Sequence, residues 1–296
     1  MSNIRTFFYF CTFFGLVALP ADPETLCYFA ELMALTVSFG HIKNILSSVK
    51  YLHAAYNLTY PVNDFGLDAT PQGLKRKLAR TPFQVLPITP DILRKIHSHL
   101  DLENKSDLAL WCSFLLAFFC LFRKKNVCPE SSEPSNEKTL RRKHIEVDLE
   151  TNIVHIYCNF SKTNQFGSSD LVIPVPGNAD PKLDLVHHLS TLFALVDAEP
   201  DQPAFTYGTG KFVHYKLFTQ RLKSLLSSCG LDPSLYSGHS FRRGGASFLY
   251  QVGGSILQIM SSGDWSSNCF TRYLFLTEDE RMEAQLLMST AISRGE

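Results

Sequence analysis

A run of fifteen residues, Leu108–Phe122, constrains the fold of this chain more than any other stretch. It reads LALWCSFLLAFFCLF and carries no charged side chain. A helix needs about 20 apolar residues to cross a bilayer, so this run predicts a buried helix at the centre of a globular domain. Of the 296 residues in the chain, 45% are hydrophobic, which is enough for packed cores in two domains.

Residues 3 to about 57 have apolar side chains at helical spacing, which predicts three or four short amphipathic helices. A turn-rich stretch at residues 60–70 precedes a short basic helix at residues 72–80, which reads QGLKRKLAR. A signal-peptide core is the alternative interpretation of the aromatic stretch that follows Arg5, but the aromatic pattern continues into the predicted helices. Two prolines in residues 81–87 (TPFQVLP) indicate a linker between domains.

A second domain is predicted from residue 88 to residue 296. Thr89 is expected to cap a helix whose first residue is Pro90, and further helices are predicted at residues 184–196 and 212–228. Strand-like composition at residues 144–149, 153–160 and 171–175 predicts a small antiparallel sheet. The expected fold class is therefore mainly α with a small antiparallel β-sheet (α+β), with a helical domain at residues 1–80, a linker at 81–87 and a second domain at 88–296.

The charge is balanced over the whole chain but uneven along it. Lysine plus arginine equals aspartate plus glutamate at 28 each, which is not the basic excess typical of a DNA-binding protein. Two local clusters nevertheless predict contacts with a phosphate backbone, and solvated helix faces are the alternative interpretation. The candidate DNA-binding residues in them are Lys75, Arg76, Lys77, Arg80, Arg141 and Arg142.

No metal or other cofactor is expected. The eight cysteines include no CxxC pair, so neither a zinc site nor a disulfide framework is indicated. His187 and His188 are adjacent on a predicted helix and so point in different directions, which argues against a metal site. The scattered thiols are typical of a protein in a reducing compartment.

The stretch from Gly238 to Leu274 contains residue types that suit the handling of a phosphodiester. His239 and Arg242 are three positions apart, so they share one face of a helix; Trp265 follows His239 by 26 positions and Tyr273 follows it by 34. Arginine offers phosphate a rigid fork of donors, histidine moves protons near neutral pH, and a tyrosine hydroxyl can attack phosphorus. Tyr250 is a poorer candidate nucleophile because it lies on the same predicted helix as His239.

This order and spacing resemble the C-terminal catalytic motif of the tyrosine recombinases, also called phage-type integrases. The phrases HSFRRGGA and GDWSS followed by RYL are most similar to the Crypton-like and DIRS-like transposon recombinases. Upstream, LFRKKNVCP is similar to the first arginine box of the family, and SKTNQFG followed by IPVP resembles its mobile hairpin. The resemblance implies a catalytic set of Arg123, Lys162, His239, Arg242, Trp265 and Tyr273.

The resemblance also implies a mechanism without metal or ATP. Tyr273 would attack the scissile phosphate and form a 3′-phosphotyrosine, while Arg123 and Arg242 neutralise the non-bridging oxygens. His239 would accept the tyrosine proton and Lys162 would protonate the leaving 5′ oxygen. The implied partners are double-stranded DNA, gripped from one side by residues 1–80, and further copies of the chain in a tetramer on paired DNA sites. No membrane is implied, and the expected location is nuclear if the chain is eukaryotic and intracellular otherwise.

Some features leave alternatives open. Trp265 would hydrogen-bond the phosphate or pack against His239, and Asn126 departs from the acidic residue that many family members carry three positions after the first arginine. The tail, with Met282, Leu286, Leu287 and Ile292 as apolar members, predicts an amphipathic helix that folds back on its own domain or docks on a neighbouring protomer. The alternatives to a recombinase are a type IB topoisomerase-like enzyme and a domesticated DNA-binding protein whose catalysis has lapsed.

Overall fold

The computed structural model describes residues 3–61, 64–78, 85–130, 139–158, 171–265 and 267–274, with a few further positions between 282 and 294. The chain divides into two compact units, Met1–Phe83 and Gln84–Glu296. The predicted fold class is confirmed, because both units are mainly helical and the strands form two small antiparallel sheets in the second. No helix in the described ranges is long and apolar enough to cross a membrane.

Within its described residues the first unit contains four helices: α1 (Asn3–Phe14), α2 (Pro23–Met33), α3 (Phe39–Ala55) and α4 (Phe65–Lys77). Helix α2 begins where it does because the Asp22 carboxylate accepts the Thr25 amide at 2.7 Å, which caps the helix. The core of the unit comes from α1, α2 and α3, and its fully buried members include Phe7, Leu26, Phe29, Ile45 and Val49.

Helix α4 is longer than the sequence predicted. It begins at Phe65 rather than near Gln72, because the Asp64 carboxylate accepts the amide of Leu67 at 2.8 Å and caps the helix there. The helix then continues through Pro71, a residue that normally ends or kinks a helix, and this is why the sequence pattern indicated turns. The basic residues Lys75, Arg76 and Lys77 occupy the last turn, where positive charge is favourable to the helix dipole.

The second unit is built around one apolar helix and a three-stranded sheet. As predicted, the Thr89 hydroxyl caps its first helix by accepting the Ile92 amide at 3.3 Å. Its helices and strands, in chain order, are α5 (Pro90–His97), α6 (Lys105–Phe119), α7 (Lys124–Val127), β1 (Ile145–Asp148), β2 (Ile153–Cys158), β3 (Leu171–Pro176), α8 (Leu185–Leu195), β4 (Thr206–Gly208), β5 (Lys211–Phe212), α9 (Tyr215–Ser228), α10 (His239–Gln251) and α11 (Ile256–Ser262).

Helix α6 is the buried central helix that the apolar run predicts. Every residue from Leu108 to Phe118 is buried, and α8 and α10 pack against it. The ring of Phe114 stacks on Phe241 of α10 with centroids 4.9 Å apart and meets Phe218 of α9 edge-on at 4.8 Å. The helix ends at Phe119, however, three residues before the apolar run does.

The sheet follows the predicted strands, in the order β1-β2-β3 and antiparallel throughout. Val154 of β2 lies opposite Val147 on one side and Val175 on the other. The hairpin of β4 and β5 was not predicted, since β5 has only two residues and leaves no alternation to detect. Helix α9 therefore begins at Tyr215 rather than at Phe212, which belongs to β5.

Candidate active site

Arg242 lies at the centre of the candidate site, on the buried face of α10, and is only 2% exposed. Its Nη1 donates to the carbonyl of Leu121, and its Nη2 donates to the carbonyl of Gly263 at 2.6 Å. Leu121 has φ 50°, and so does Asp264, the residue after Gly263. Positive φ is unfavourable for residues with a side chain. The backbone is therefore strained at Leu121 and at Asp264, in the two segments whose carbonyl groups bind the Arg242 guanidinium.

Two aromatic rings of the motif lie against this guanidinium. The Arg242 Cζ atom is 3.9 Å from the centre of the Trp265 ring system and 5.2 Å from the Tyr273 ring centre. The two rings are 5.1 Å apart. A glycine at position 263 makes this possible, because a Cβ there would lie 1.9 Å from the indole. Cation–π contacts of this kind are favourable in a desolvated site.

The backbone of Tyr273 is held by α10 through two residues that the sequence did not single out. The Ser247 hydroxyl donates to the Tyr273 carbonyl at 3.3 Å, and the Arg243 guanidinium donates to the carbonyls of Arg272 and Leu274, each at 3.5 Å. Arg243 and Ser247 are four apart and so share a face of the helix. The available signal was that spacing, since Arg243 lies inside the phrase HSFRRGGA without a catalytic role in the resembled motif and Ser247 directly follows that phrase.

Arg123 directly follows the apolar run in the sequence, but it does not directly follow the apolar helix in the structure. Because α6 ends at Phe119 and the backbone bends at Leu121, Arg123 instead immediately precedes α7 and is half-buried. The Asn126 amide donates to the Arg123 carbonyl at 2.8 Å, and the Asn126 carbonyl accepts the Leu140 amide at 2.9 Å. Asn126 thus contributes its backbone to the loop that carries Arg123.

Arg123 lies close enough to His239 and Arg242 to act on both electrostatically. Burial lowers the pKa of Arg242, and the positive charge of Arg123 adds to this effect, while Tyr273 opposes it. Arg242 nevertheless stays charged at neutral pH, since arginine starts from a very high pKa. Loss of surrounding water, followed by the positive charges of Lys124, Arg123 and Arg242, lowers the pKa of His239, although the residue keeps access to solvent. A neutral imidazole at this position is able to accept a proton.

Two buried donors of the site have no hydrogen-bond partner within the described ranges: Nε of Arg242 and Nε1 of Trp265. An unpaired buried donor is unfavourable by about 1–3 kcal/mol. An anion that entered the site would satisfy such donors, and indole and guanidinium nitrogens are donors only. The arrangement therefore suits an anionic oxygen placed beside Arg242.

The remaining predicted site residues of the second unit are Lys162, Arg141 and Arg142. Lys162 lies outside the described residues, as does Arg80. Arg141 donates to the Asp201 carbonyl at 2.6 Å, while Arg142 donates to the Val196 carbonyl at 2.9 Å and lies 3.7 Å from the ring centre of Phe193. Both arginines make contacts within their own unit, and their part in DNA binding stays a prediction.

No group of three or more His, Cys, Asp or Glu side chains able to hold a metal ion occurs in the part of the chain that the structure describes. Of the adjacent histidines, His187 is exposed and His188 is buried, with its Nε2 3.1 Å from the Lys182 carbonyl.

No profile of a protein family and no curated protein matches this sequence. Its fold does match solved structures. XerH site-specific recombinase bound to palindromic difH substrate has a TM-score of 0.64 at 13% identity, over 96% of this chain and 76% of that one. The Tn1549 transposon integrase in complex with circular intermediate DNA has a TM-score of 0.57 at 12% identity, over 90% and 85%. A lambda integrase dimer bound to a COC′ core site has a TM-score of 0.55 at 14% identity, over 88% of this chain and 65% of that one. At these identities the likeness shows the fold alone, and that fold is the one these recombinases and integrases share.

Proposed function

We propose that this chain is a site-specific DNA recombinase or integrase of a mobile element, which cuts and rejoins double-stranded DNA through a 3′-phosphotyrosine. The observation that carries the proposal is the clustering of Arg242 with Trp265 and Tyr273, within electrostatic reach of Arg123. These residues are far apart in the sequence, and together they form a cationic, donor-rich site beside a phenol. The solved structures with a similar fold are named as recombinases and integrases bound to DNA.

In the proposed reaction, the Tyr273 oxygen forms a bond to phosphorus as the bond from phosphorus to the 5′ oxygen breaks. The tyrosine proton passes to His239, whose lowered pKa keeps it neutral at pH 7, and Lys162 supplies a proton to the leaving oxygen. Arg123 and Arg242 neutralise the charge of the transition state. Attack by the 5′-hydroxyl of another strand reverses the step, so strand exchange needs no ATP.

Access to Arg242 requires a movement, because its side chain lies beneath Trp265 and Tyr273 and is 2% exposed. The hydrogen bonds from α10 to the backbone around Tyr273 measure 3.3–3.5 Å, which is the long end of the range for such bonds. These hydrogen bonds are long, and we propose that DNA binding displaces the segment and opens the site to the scissile phosphate.

The first experiment is a search for a covalent protein–DNA adduct on denaturing gels, in EDTA and without ATP. The probe is a pool of nicked duplexes with a randomised central sequence, since the target sequence is unknown, and the captured strands are sequenced. Tyr273→Phe should abolish the adduct, whereas the matched variant Tyr250→Phe, at an exposed tyrosine of α10, should retain it. An adduct that survives in Tyr273→Phe would refute the assigned nucleophile.

A domesticated DNA-binding protein is the second candidate, and a specific observation favours it. Both terminal nitrogens of Arg242 already donate to backbone carbonyls, as expected of an arginine retained for structure. DNA binding without any adduct would select this candidate. If an adduct forms, exchange between two labelled duplexes separates a recombinase from a type IB topoisomerase-like enzyme, which relaxes DNA without pairing sites. Affiliation with Crypton-like or DIRS-like elements, a tetramer on paired sites and a nuclear location belong to the same proposal.

A further inference from the structure

Lys124, to which neither the motif nor the resemblance assigns a role, contacts two other segments next to the candidate site. It is the first residue of α7 and directly follows Arg123. Its ammonium lies 3.9 Å from the centre of the Tyr215 ring, at the start of α9. Its aliphatic stem packs on Gly238, where a Cβ would lie 2.7 Å from the lysine Cδ. Gly238 is the residue that precedes His239 at the start of α10.

This contact favours a small residue at position 238. The φ angle of Gly238 is −58°, which any residue adopts, so its backbone conformation does not require glycine. The stem of Lys124 instead fills the space that a Cβ at 238 would occupy, so a larger residue there would displace the lysine. The start of α10 is therefore packed against α7 through this side chain.

The neighbouring lysine provides a contrast. The Lys125 side chain is 67% exposed and pairs with Glu130 at the surface, an arrangement that contributes little to stability. Lys124 is half-buried, and burial together with the positive charge of Lys125 lowers its pKa. The ring of Tyr215 stabilises its charge by a cation–π contact.

We propose that Lys124 is a positioning residue of the candidate site, which fastens the start of α10 to α7 and keeps a fixed positive charge beside His239. Its role as an aid to proton transfer rests on the proposed function, whereas its effect on His239 does not. The charged groups that act on His239 within the described ranges are Lys124, Arg123 and Arg242. Lys124 is the one among them that is not already assigned to the phosphate. Its charge favours the neutral imidazole, which is the form that accepts a proton from Tyr273.

The test is an NMR titration of His239 in the full chain, assigned by the loss of its signal in His239→Gln. In Lys124→Met, which keeps much of the stem and removes the charge, the midpoint should rise by about 0.5–1 pH unit. Lys124→Arg should restore the original midpoint, and Lys125→Met is the matched control that should leave it unchanged. Lys124→Gln serves as a second uncharged variant if Lys124→Met fails to fold.

The same variants are then compared in adduct formation across pH. If His239 is the base, a higher titration midpoint leaves less neutral imidazole at acidic pH. Adduct formation by Lys124→Met should therefore fall by about threefold to tenfold at pH 5.5 and by less than about twofold at pH 8. An unchanged midpoint in both uncharged variants, or an equal shift in Lys125→Met, would overturn the inference. If the midpoint rises but no variant, nor the parent chain, forms an adduct, the inference about Lys124 holds and the proposed function fails.

Discussion

Helices α6 and α10 pack against each other and are both deeply buried, yet they bury opposite kinds of side chain. On α6 the buried stretch from Leu108 to Phe118 is apolar apart from Ser113. On α10 the buried stretch runs from Ser240 to Ser247 and includes Arg242 and Arg243. Burial of α6 stabilises the unit by removing apolar surface from water. Burial of α10 opposes stability, because charges lose hydration, but it strengthens the electrostatic effect of those charges on a bound anion.

The largest expected effect concerns the contact that lets α10 be buried at all. A Cβ at Gly244 would lie 1.8 Å from the carbonyl oxygen of Ile88, so the clash is with backbone and not with a flexible side chain. Gly244→Val should therefore destabilise the second unit by more than about 4 kcal/mol, measured by urea unfolding. The control is Gly73→Ala on α4, where nothing lies within 4 Å and the expected change is a gain of about 0.5–1 kcal/mol. A Gly244→Val chain of wild-type stability would contradict this packing.

The next largest effect tests α6 as the source of stability. Leu115 is fully buried, so Leu115→Ala should lower the free energy of unfolding by about 2–5 kcal/mol through lost burial and the cavity left behind. Leu257→Ala, at a side chain that is 78% exposed, should change it by less than about 0.5 kcal/mol. Denaturation of the two variants in parallel gives both values, and similar losses at the two positions would refute the assignment of the core.

An intermediate effect is expected on the side of α6 that faces α8, where His188 lies against Trp111 with ring centroids 6.3 Å apart. Burial lowers the pKa of His188 to about 4. The unfolded chain then binds more protons between pH 4 and the ordinary value near 6.5, so stability is complete above that value and falls as the pH drops. The loss between pH 7.5 and pH 5 should be about 2 kcal/mol.

His188→Gln keeps a donor for the Lys182 carbonyl and should remove this part of the pH dependence, which unfolding curves at the two pH values would show. His187→Gln, at the exposed neighbour on the same helix, is the matched variant and should retain it. Identical pH dependence in both variants would show that acid acts on stability through other groups.

The smallest expected effect on stability is that of Arg242→Met, and it distinguishes α10 most clearly from α6. In Arg242→Met the loss of two hydrogen bonds to Leu121 and Gly263 is offset by removal of a buried charge that lies near Arg123. Each of these hydrogen bonds is worth about 1.5–3 kcal/mol, and burial of the charge opposes stability by several kcal/mol. Because the two effects nearly cancel, the net change in the free energy of unfolding should be below about 1 kcal/mol. Adduct formation should nevertheless fall by at least about 100-fold. A large loss of stability with activity retained would reverse the comparison between the two helices.

The sequence was sufficient to predict α6 and the three-stranded sheet, because both are determined by local apolar patterns. It was not sufficient for the end of α6. Cys120, Leu121 and Phe122 continue the apolar run, and the bend at Leu121 is associated with a hydrogen bond from Arg242, 121 positions later. The hydrophobic pattern of the sequence cannot predict a backbone turn that depends on a hydrogen-bond donor so far along the chain.

The same reasoning separates the site residues that were predicted from those that were missed. The order and spacing of His239, Arg242, Trp265 and Tyr273 made them recognisable from the sequence, although their roles stay predictions. Arg243 donates to carbonyl groups about 30 positions away, at 272 and 274, and the Lys124 side chain occupies the space that a Cβ at Gly238 would fill. Neither contact can be predicted from residue types or periodicity alone.

The glycine pair of α10, Gly244 and Gly245, limits which variants of this chain can fold. At Gly245, as at Gly244, a Cβ would collide with backbone, here 2.2 Å from the Phe118 carbonyl oxygen. Both positions of the pair therefore exclude any side chain, whatever its chemistry. Variants of this chain that are selected for folding should keep glycine at 244 and 245, while exposed positions of the same helix, such as Tyr250, accept other residues.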